Sequence, residues 1–420
     1  MAQVSANTSA TLQGLFKQIY AKEVKDLVPA FSILQKRVPF SKAQILGDKF
    51  HCPVVLSQEH GFTYGGSTAA NYALNAAVSM QMQDAQVPGS ELTLQSGISY
   101  GAVSRAQSKG DTAVEQAVRL LAEQMKASAS KRLEIALIYG GSGLGRVASG
   151  TGSSTTRVYT IQKATFAPGI WSGMENANLD FYNGASQLNA NAMVVITAVN
   201  VALQTVSVSG NAADLTAIDG AGTSASIFFS GAYGQEMTGI DQIMVNTGTL
   251  FNISASQFNL WAAQTYDCGL AEISMTKLLS AIALAVGRGL MDDVQVLLSP
   301  DSWANLNSDL GAQRQYDGSY SKKKAENGFE SIQYYGQNGI IELISHPMVK
   351  SGEAFVIPLD LIQRVGSTDV AFRGEGPSGE EEYLFQNPTT NGWTCRAYTD
   401  QAILIEMPAH CVKLINIVAS

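Results

Sequence analysis

The sequence predicts an α+β fold: an N-terminal arm, an extended loop, one long spine helix and a C-terminal α/β domain, with a β-rich module inserted before that domain. Three observations predict it. A helical pattern runs unbroken from Asp111 to Gly140. Strand-like segments before it flank a stretch that has no core of its own. Beyond residue 251, strand and helix patterns alternate.

Residues 1–45 read as the arm. Thr11–Leu27 has helical spacing at Leu15, Ile19 and Val24, and Val28-Pro29 and Val38-Pro39 then break the chain. Nothing local offers this arm a surface to fold back on. Residues 46–105 read as the extended loop, with strands at Lys49–Ser57 and Glu91–Ser104. In the second, Leu92, Leu94, Ile98, Tyr100 and Ala102 share one face, while Thr93, Gln95, Gly97, Ser99 and Gly101 share the other. Between the strands, His60–Gly89 holds Gly61, Gly65 and Gly66, followed by a run rich in Ala, Asn, Gln and Met. Connections longer than ~12–15 residues without strong structure tend to be functional, and a lone two-stranded arm is marginal. The expectation is a soft tip that lies on another subunit, where Tyr64, Tyr72, Leu74, Met80 and Met82 supply the contacts.

The spine helix begins at a capping-box spacing, Thr112 and Glu115, where each side chain can satisfy the other residue's orphan amide. Val114, Val118, Leu121 and Met125 keep one face apolar; Leu133, Ala136 and Leu137 carry it onward, and Gly140-Gly141 end it. At ~1.5 Å per residue such a helix is about 40 Å long, a spine that needs sheets laid along it.

Gly141–Thr156, rich in Gly and Ser, reads as a connector. Arg157–Ile161 and Asn178–Phe181 read as strands. The module at 189–231 has short apolar runs through Val194, Ile196, Val199, Val201, Leu203, Val206 and Val208, broken at Asn200, Gly210-Asn211 and Gly220–Gly222, with Ile227–Phe229 as a further strand. Val199, Val201, Val206 and Val208 are its core candidates. Leu278, Leu279, Ile282 and Val286 then mark a helix that stops at Gly287–Gly289. Asp293–Leu298 is a buried strand, and Ser299-Pro300 opens the helix Asp301–Leu310, with Ser as N-cap and Pro at the first helical position. Ile340–Ile344, Ala354–Ile357 and the alternations Ile403/Ile405 and Val412/Leu414 read as further strands.

Composition narrows the function classes. With 420 residues, 45% of them hydrophobic, the chain can bury a large core, while only 15% are charged, which suits a surface largely covered by partners. A net charge of −8 argues against a dedicated nucleic-acid binder, but not against a container whose walls must not grip its contents. No apolar run reaches the ~18 residues of a membrane span, and the start has no basic region followed by an apolar core, so no signal peptide is visible. Cys52, Cys268, Cys395 and Cys411 are widely spaced and read as buried free thiols.

Signals of chemistry are weak. Gly141–Gly145 has glycine spacing like that of a dinucleotide loop but follows a helix rather than a strand, so it reads as a cap and a flexible loop. There is no P-loop string and no nucleophile elbow, and His51, His60, His346 and His410 show no paired ligand spacing. No catalytic residue, metal ligand or cofactor is expected. The charge runs Lys322-Lys323-Lys324 and Glu380-Glu381-Glu382 are either solvated loop faces or complementary patches between subunits. Trp171, Trp261, Trp303 and Trp393 read as core or interface anchors.

Taken in order, these segments resemble a tailed-bacteriophage major capsid protein of the Hong Kong ninety-seven type. TFAPGIWSGMENANLDFYNG at 165–184 is similar to a stretch common just after the spine in that family, VQVLLSPDSWANLNSDLGAQRQYD at 294–317 to its axial strand and helix, and ISHPMVKSGEAFVIPLDLIQRVGS at 344–367 to its returning segment. The resemblance covers most of the chain from near residue 10 to residue 420. It implies a peripheral, spine-helix domain from 106–188 and 346–405, an axial domain from 232–345 and 406–420, and an insertion at 189–231 that some members carry and others lack. It also implies self-assembly as hexamers and pentamers into an icosahedral shell around double-stranded DNA. Scaffolding and portal proteins, and a decoration protein, are the implied partners. The implied location is the virion capsid, made in the bacterial host cytoplasm. Some shells of this type are crosslinked between subunits, but no local feature identifies such a pair here. The rivals are an encapsulin-like compartment, which nucleic acid extracted from particles would distinguish, and an α/β enzyme, which a monomer with a closed polar pocket would favour. A surface-layer or tail protein is weaker, since no repeats occur.

Overall fold

The structure, a computed structural model, describes residues 32–42, 49–67, 71–99, 111–308, 332–372, 374–375, 381–382, 385–386 and 392–418. The expected helix Thr11–Leu27 lies outside them, as do the side chains of Thr112, Val114, Glu115 and Val118. The spine helix spans Asp111–Tyr139, and its halves are buried differently. In the N-terminal half Leu121 and Met125 form a stripe against Cys395, Ala397, Leu94 and Phe372, while Lys126 on the far side is exposed. From Lys131 to Tyr139 almost every side chain is buried, including Glu134 and Lys131. Among the described side chains the amphipathic pattern thus holds over 121–130 and is lost from Lys131 onward. Gly140 and Gly141 stop the helix for separate reasons. A Cβ on Gly140 would stand 2.2 Å from the Met237 carbonyl oxygen, whereas Gly141 takes φ 76°, the left-handed conformation that ends helices.

The stripe gives a direct test. Leu121→Asp places a carboxylate among Met125, Cys395 and Ala397 and is expected to cost about 2–4 kcal/mol. Lys126→Ala should be close to neutral. Chemical denaturation of both variants checks this; equal midpoints would contradict the packing of the stripe.

A sheet lies along this half of the spine. Its long strand, Gly392–Ile405, pairs antiparallel with Glu91–Ser99 over its first part and with Ile362–Ala371 over its last. Phe40–Lys42 of the arm joins in parallel, Phe40 opposite Arg364. Glu91–Ser99 is therefore not the second strand of the extended loop. That strand is Gln81–Pro88, inside the stretch expected to be soft, which pairs with Lys49–Ser57 from Lys49↔Pro88 to Ser57↔Gln81. Its polar residues hide the strand, which is held by ladder hydrogen bonds and by Ala85 and Val87, both fully buried.

The Gly/Ser connector is also structured. Gly145–Gly152 and Thr156–Ile161 form a hairpin, and the sheet continues through Thr205–Ser209, Val194–Asn200 and Asn178–Asn183. Ser226–Phe229 then pairs with both Asn178–Asn183 and Gly145–Gly152, which closes the sheet into a small antiparallel barrel. Closure removes the exposed edges an open sheet would present. The barrel takes in 145–229, more than the module expected at 189–231, because residues 145–183 supply half of its wall. Val206 and Val208 lie in its core and Val199 packs against it, but Val201 is 37% exposed in the turn. A helix not expected from sequence, Ala212–Ala221, packs Leu215 and Ile218 against the barrel; Asn211 caps it, its side-chain oxygen accepting from Ala213 N–H.

The C-terminal α/β domain holds the expected elements and two strands not expected from sequence, Gln264–Ala271 and Ile332–Tyr335. Its strands run side by side as Gln264–Ala271, Val412–Ile417, Ala354–Ile357, Val294–Leu298, Ile340–Ser345 and Ile332–Tyr335. Met275–Val286 packs on one face with Val294, Val296 and Leu298, while Leu297, Ile344 and Phe355 face the core shared with the spine. Burial on both faces explains the continuous apolar run of Val294–Leu298. Ser299 Oγ accepts from Ser302 N–H, as expected of the N-cap of Pro300–Ser308. Charged groups fasten this sheet to the spine. Lys350 donates its amide to Tyr139 Oη at 2.8 Å and its ammonium to the Gly143 carbonyl at 3.0 Å. Burial pulls the Lys350 ammonium below its usual range. Lys413 pairs with Asp241 and, at 2.9 Å, with Glu353. Burial opposes the Lys413 charge, but the two carboxylates hold it above its usual range.

Candidate interaction surface

The hairpin of Lys49–Ser57 and Gln81–Pro88 has two unlike faces. Phe50, Cys52, Val54 and Leu56 alternate toward the body of the molecule with Ala85 and Val87, and Gln86 N–H donates to the Phe251 carbonyl at 2.9 Å. The root is thus part of the subunit's own core. On the other face Val55 stands opposite Met82, and both are about half exposed. His51 Nδ1 lies 2.5 Å from Asp84 Oδ2 beside them.

The connection 58–80 carries a concentration of exposed apolar side chains. Tyr64 is 91% exposed, Leu74 81% and Phe62 68%; Tyr72, Val78 and Met80 are also exposed. The five apolar contact candidates, Tyr64, Tyr72, Leu74, Met80 and Met82, belong to this hairpin and are exposed. Phe62, Val55 and Val78 share that exposure and were missed, although Phe62 follows Gly61 in the stretch already singled out. The tip is braced locally. The Asn75 amide N–H donates to Thr63 Oγ1 and its side-chain nitrogen to the Phe62 carbonyl, both at 2.8 Å. His60 N–H donates to the Val78 carbonyl at 3.0 Å. The Tyr72 ring crosses Gly65 so closely that a Cβ there would meet it at 2.4 Å, so any larger residue must displace the ring. An apolar cluster held open to solvent by its own backbone is unusual for a surface that stays free.

Lys322, Lys323, Lys324 and Glu380 lie outside the described residues. Glu381–Glu382 forms a short strand with Gly374–Glu375, with side chains outside the described set. Of the tryptophans, Trp171 and Trp261 are buried core residues, and Trp303 packs at the edge of the α/β core. Cys268, Cys395 and Cys411 are buried free thiols, and burial pushes Cys411 up to about 12. Among the described residues no group of His, Cys, Asp and Glu could hold a metal ion, and no helix is long and apolar enough to cross a membrane.

A second feature, invisible in the sequence, joins the arm to the spine. Glu134 is fully buried. Its Oε1 accepts from Leu34 N–H at 2.6 Å and its Oε2 from Gln35 N–H at 3.2 Å, at the start of the short helix Ile33–Arg37. His346, also fully buried, lies with Nε2 3.0 Å from Glu134 Oε1, while its Nδ1 accepts from Met348 N–H. That amide fixes the tautomer, so Nε2 carries the proton and donates it to the carboxylate. Arg364 completes the attachment by donating to the Val38 and Gln35 carbonyls. Residues 32–42, the described part of the arm, thus fold onto residues far away in sequence.

No protein-family model and no curated relative matches the chain. Solved structures do. The chain is similar to a chain of the cyanophage A-1(L) capsid asymmetric unit, with a TM-score of 0.54 and 11% identity, covering 96% of this chain and 98% of that one. It is similar to a chain of the capsid of the native GTA particle, with a TM-score of 0.51 and 9% identity, covering 98% and 99%. The corresponding capsid of the empty particle gives the same figures. At such identities the likeness is one of fold, and it runs through nearly the whole length of both chains. The α+β phage-capsid fold expected from the sequence is the fold observed.

Proposed function

We propose that this chain is a capsid shell protein of the tailed-phage type, and that it assembles as hexamers and pentamers into an icosahedral container for double-stranded DNA. The observation that carries the reading is the braced apolar tip at 58–80, which the subunit exposes and does not use. A neighbouring copy is the occupant that the capsid fold offers, because closed shells repeat one contact between identical chains. The reading assigns no catalytic residue and no cofactor, and it treats scaffolding, portal and decoration proteins as partners. It places the protein in the virion capsid after synthesis in the host cytoplasm. The domain division follows from it, with the barrel 145–229 taken as the inserted unit. The α/β sheet serves as the axial domain, now including Ala354–Ile357, and the spine with its sheet as the peripheral domain. Complementary Lys322–Lys324 and Glu380–Glu382 patches remain part of the proposal.

Negative-stain microscopy of the purified protein at high concentration, with and without co-expressed scaffold, tests it. Capsomers or closed shells are expected, with DNA recoverable from particles made during infection. A compact monomer under every condition would refute the assignment, and shells that enclose enzymes instead of DNA would refute its genomic half.

A further inference from the structure

A cavity of about 350 Å³ lies between the start of the strand Glu91–Ser99, the spine, and the segment that leaves the barrel at Phe229. Arg132 of the spine reaches into it with its guanidinium over the Phe229 ring, 3.0 Å from the centroid. An arginine has five N–H donors in a rigid plane and no way to give up its charge. Here none of those donors has a hydrogen-bond acceptor among the described residues. Glu236 attracts the guanidinium without hydrogen-bonding it; its Oε2 accepts from Gly141 N–H at 3.3 Å, and burial raises its carboxyl above the usual range. Burial and Asp400, and after them Glu91, which also lines the cavity, raise the Tyr398 phenol above its usual range. Burial accordingly works against the Arg132 charge and lowers it to about 10, with Glu236 only partly opposing.

A half-buried guanidinium that faces an open cavity without a protein acceptor is free to take one from a ligand. The space, the flat guanidinium and the apolar walls at Leu133, Ala136 and Met237 select the shape of what fits. A carboxylate is planar, carries two acceptors at the spacing of two parallel guanidinium N–H groups, and binds most strongly where water is thin. We propose that the cavity is a carboxylate subsite in which Arg132 grips its ligand through a two-pronged hydrogen bond. The carboxylate has two sources: a small organic acid from solution, or an Asp or Glu side chain of a second copy of this chain. Only the second source rests on the shell reading.

The experiment separates them. Thermal unfolding of the full unassembled chain is compared in sodium acetate and in sodium chloride of equal ionic strength, for the parent, Arg132→Gln and Arg132→Lys. A midpoint raised by acetate in the parent and by neither salt in Arg132→Gln supports the solution source. Arg132→Lys keeps the charge and the stem but not the planar fork, so it should lose the response too, and it serves as the comparison if the Gln variant does not fold. Without an acetate response, the proposal requires density for a neighbouring copy's carboxylate on Arg132 in assembled shells. It then also requires soluble Arg132→Gln subunits whose shell yield falls on the order of tenfold or more, the loss of one charged hydrogen-bonded contact. Parent shells whose cavity holds only water, together with no acetate response, overturn the proposal and leave the shell reading standing. If no shells form at all, the shell reading fails and the acetate comparison alone decides.

Discussion

Replacing residues 58–80 by a short Gly/Ser turn from Ser57 to Gln81 is expected to leave a folded subunit that no longer forms shells. The cut falls where the subunit's own interactions end. Leu56, Ala85 and Val87 stay in the core, the Lys49–Ser57 ladder keeps its partner, and Gln86 keeps its bond to Phe251. What is removed is a surface with no role in the isolated chain: Phe62, Tyr64, Tyr72, Leu74, Val78 and Met80. Burying such a side chain against a neighbour contributes about 1.5–3 kcal/mol. The Asn75 braces lower the ordering cost, otherwise ~1–2 kcal/mol per residue of backbone. Repeated at every subunit contact, the loss should abolish or loosen the particle. Circular dichroism and the unfolding midpoint report the subunit; sedimentation reports the assembly. Unchanged shells would make the tip decoration, and an unfolded chain would place it in the subunit's own core.

What the sequence made legible is what local physics decides. The spine declared itself by its apolar repeat and by Gly140-Gly141, and the helix Pro300–Ser308 by its Ser299 cap. The apolar residues of the tip stood out because nothing nearby could cover them. The missed elements are those whose stability comes from distant partners. Gln81–Pro88 has only one β-branched residue, Val87, and becomes a strand because Lys49–Ser57 pairs with it. Gly145–Gly152 has the composition of a linker, yet Val147 is buried and Ser226–Phe229 closes against its start. The helix Ala212–Ala221 lacks a clear apolar repeat; Asn211 before it and Gly222 at φ 53° after it were the available signals. The attachment of the arm and the Arg132 cavity are assembled from segments that no spacing rule connects.

Glu134→Ala is expected to release residues 32–42 and to lower subunit stability by about 3–5 kcal/mol, because three buried donors lose their acceptor at once. The carboxylate is the acceptor for Leu34 N–H, Gln35 N–H and His346 Nε2, all in a site closed to water. A helix of only five residues, Ile33–Arg37, cannot hold itself together in water, so it depends on this anion at its start. Ile33, Leu34 and Val38 would then leave the core, and Phe40–Lys42 would lose its hold on Ile362–Ala371. Trypsin provides the reading. Lys36 is exposed, but its backbone is held in the helix, and Arg37 is paired with Glu342 at 2.8 Å. Cleavage at these two positions should be slow in the parent and fast in the variant, with the unfolding midpoint falling alongside. Glu134→Gln keeps one acceptor oxygen without the charge and should lie between them. Cleavage as slow in Glu134→Ala as in the parent would mean that burial of Ile33, Leu34 and Val38, together with Arg364, holds the arm without the carboxylate.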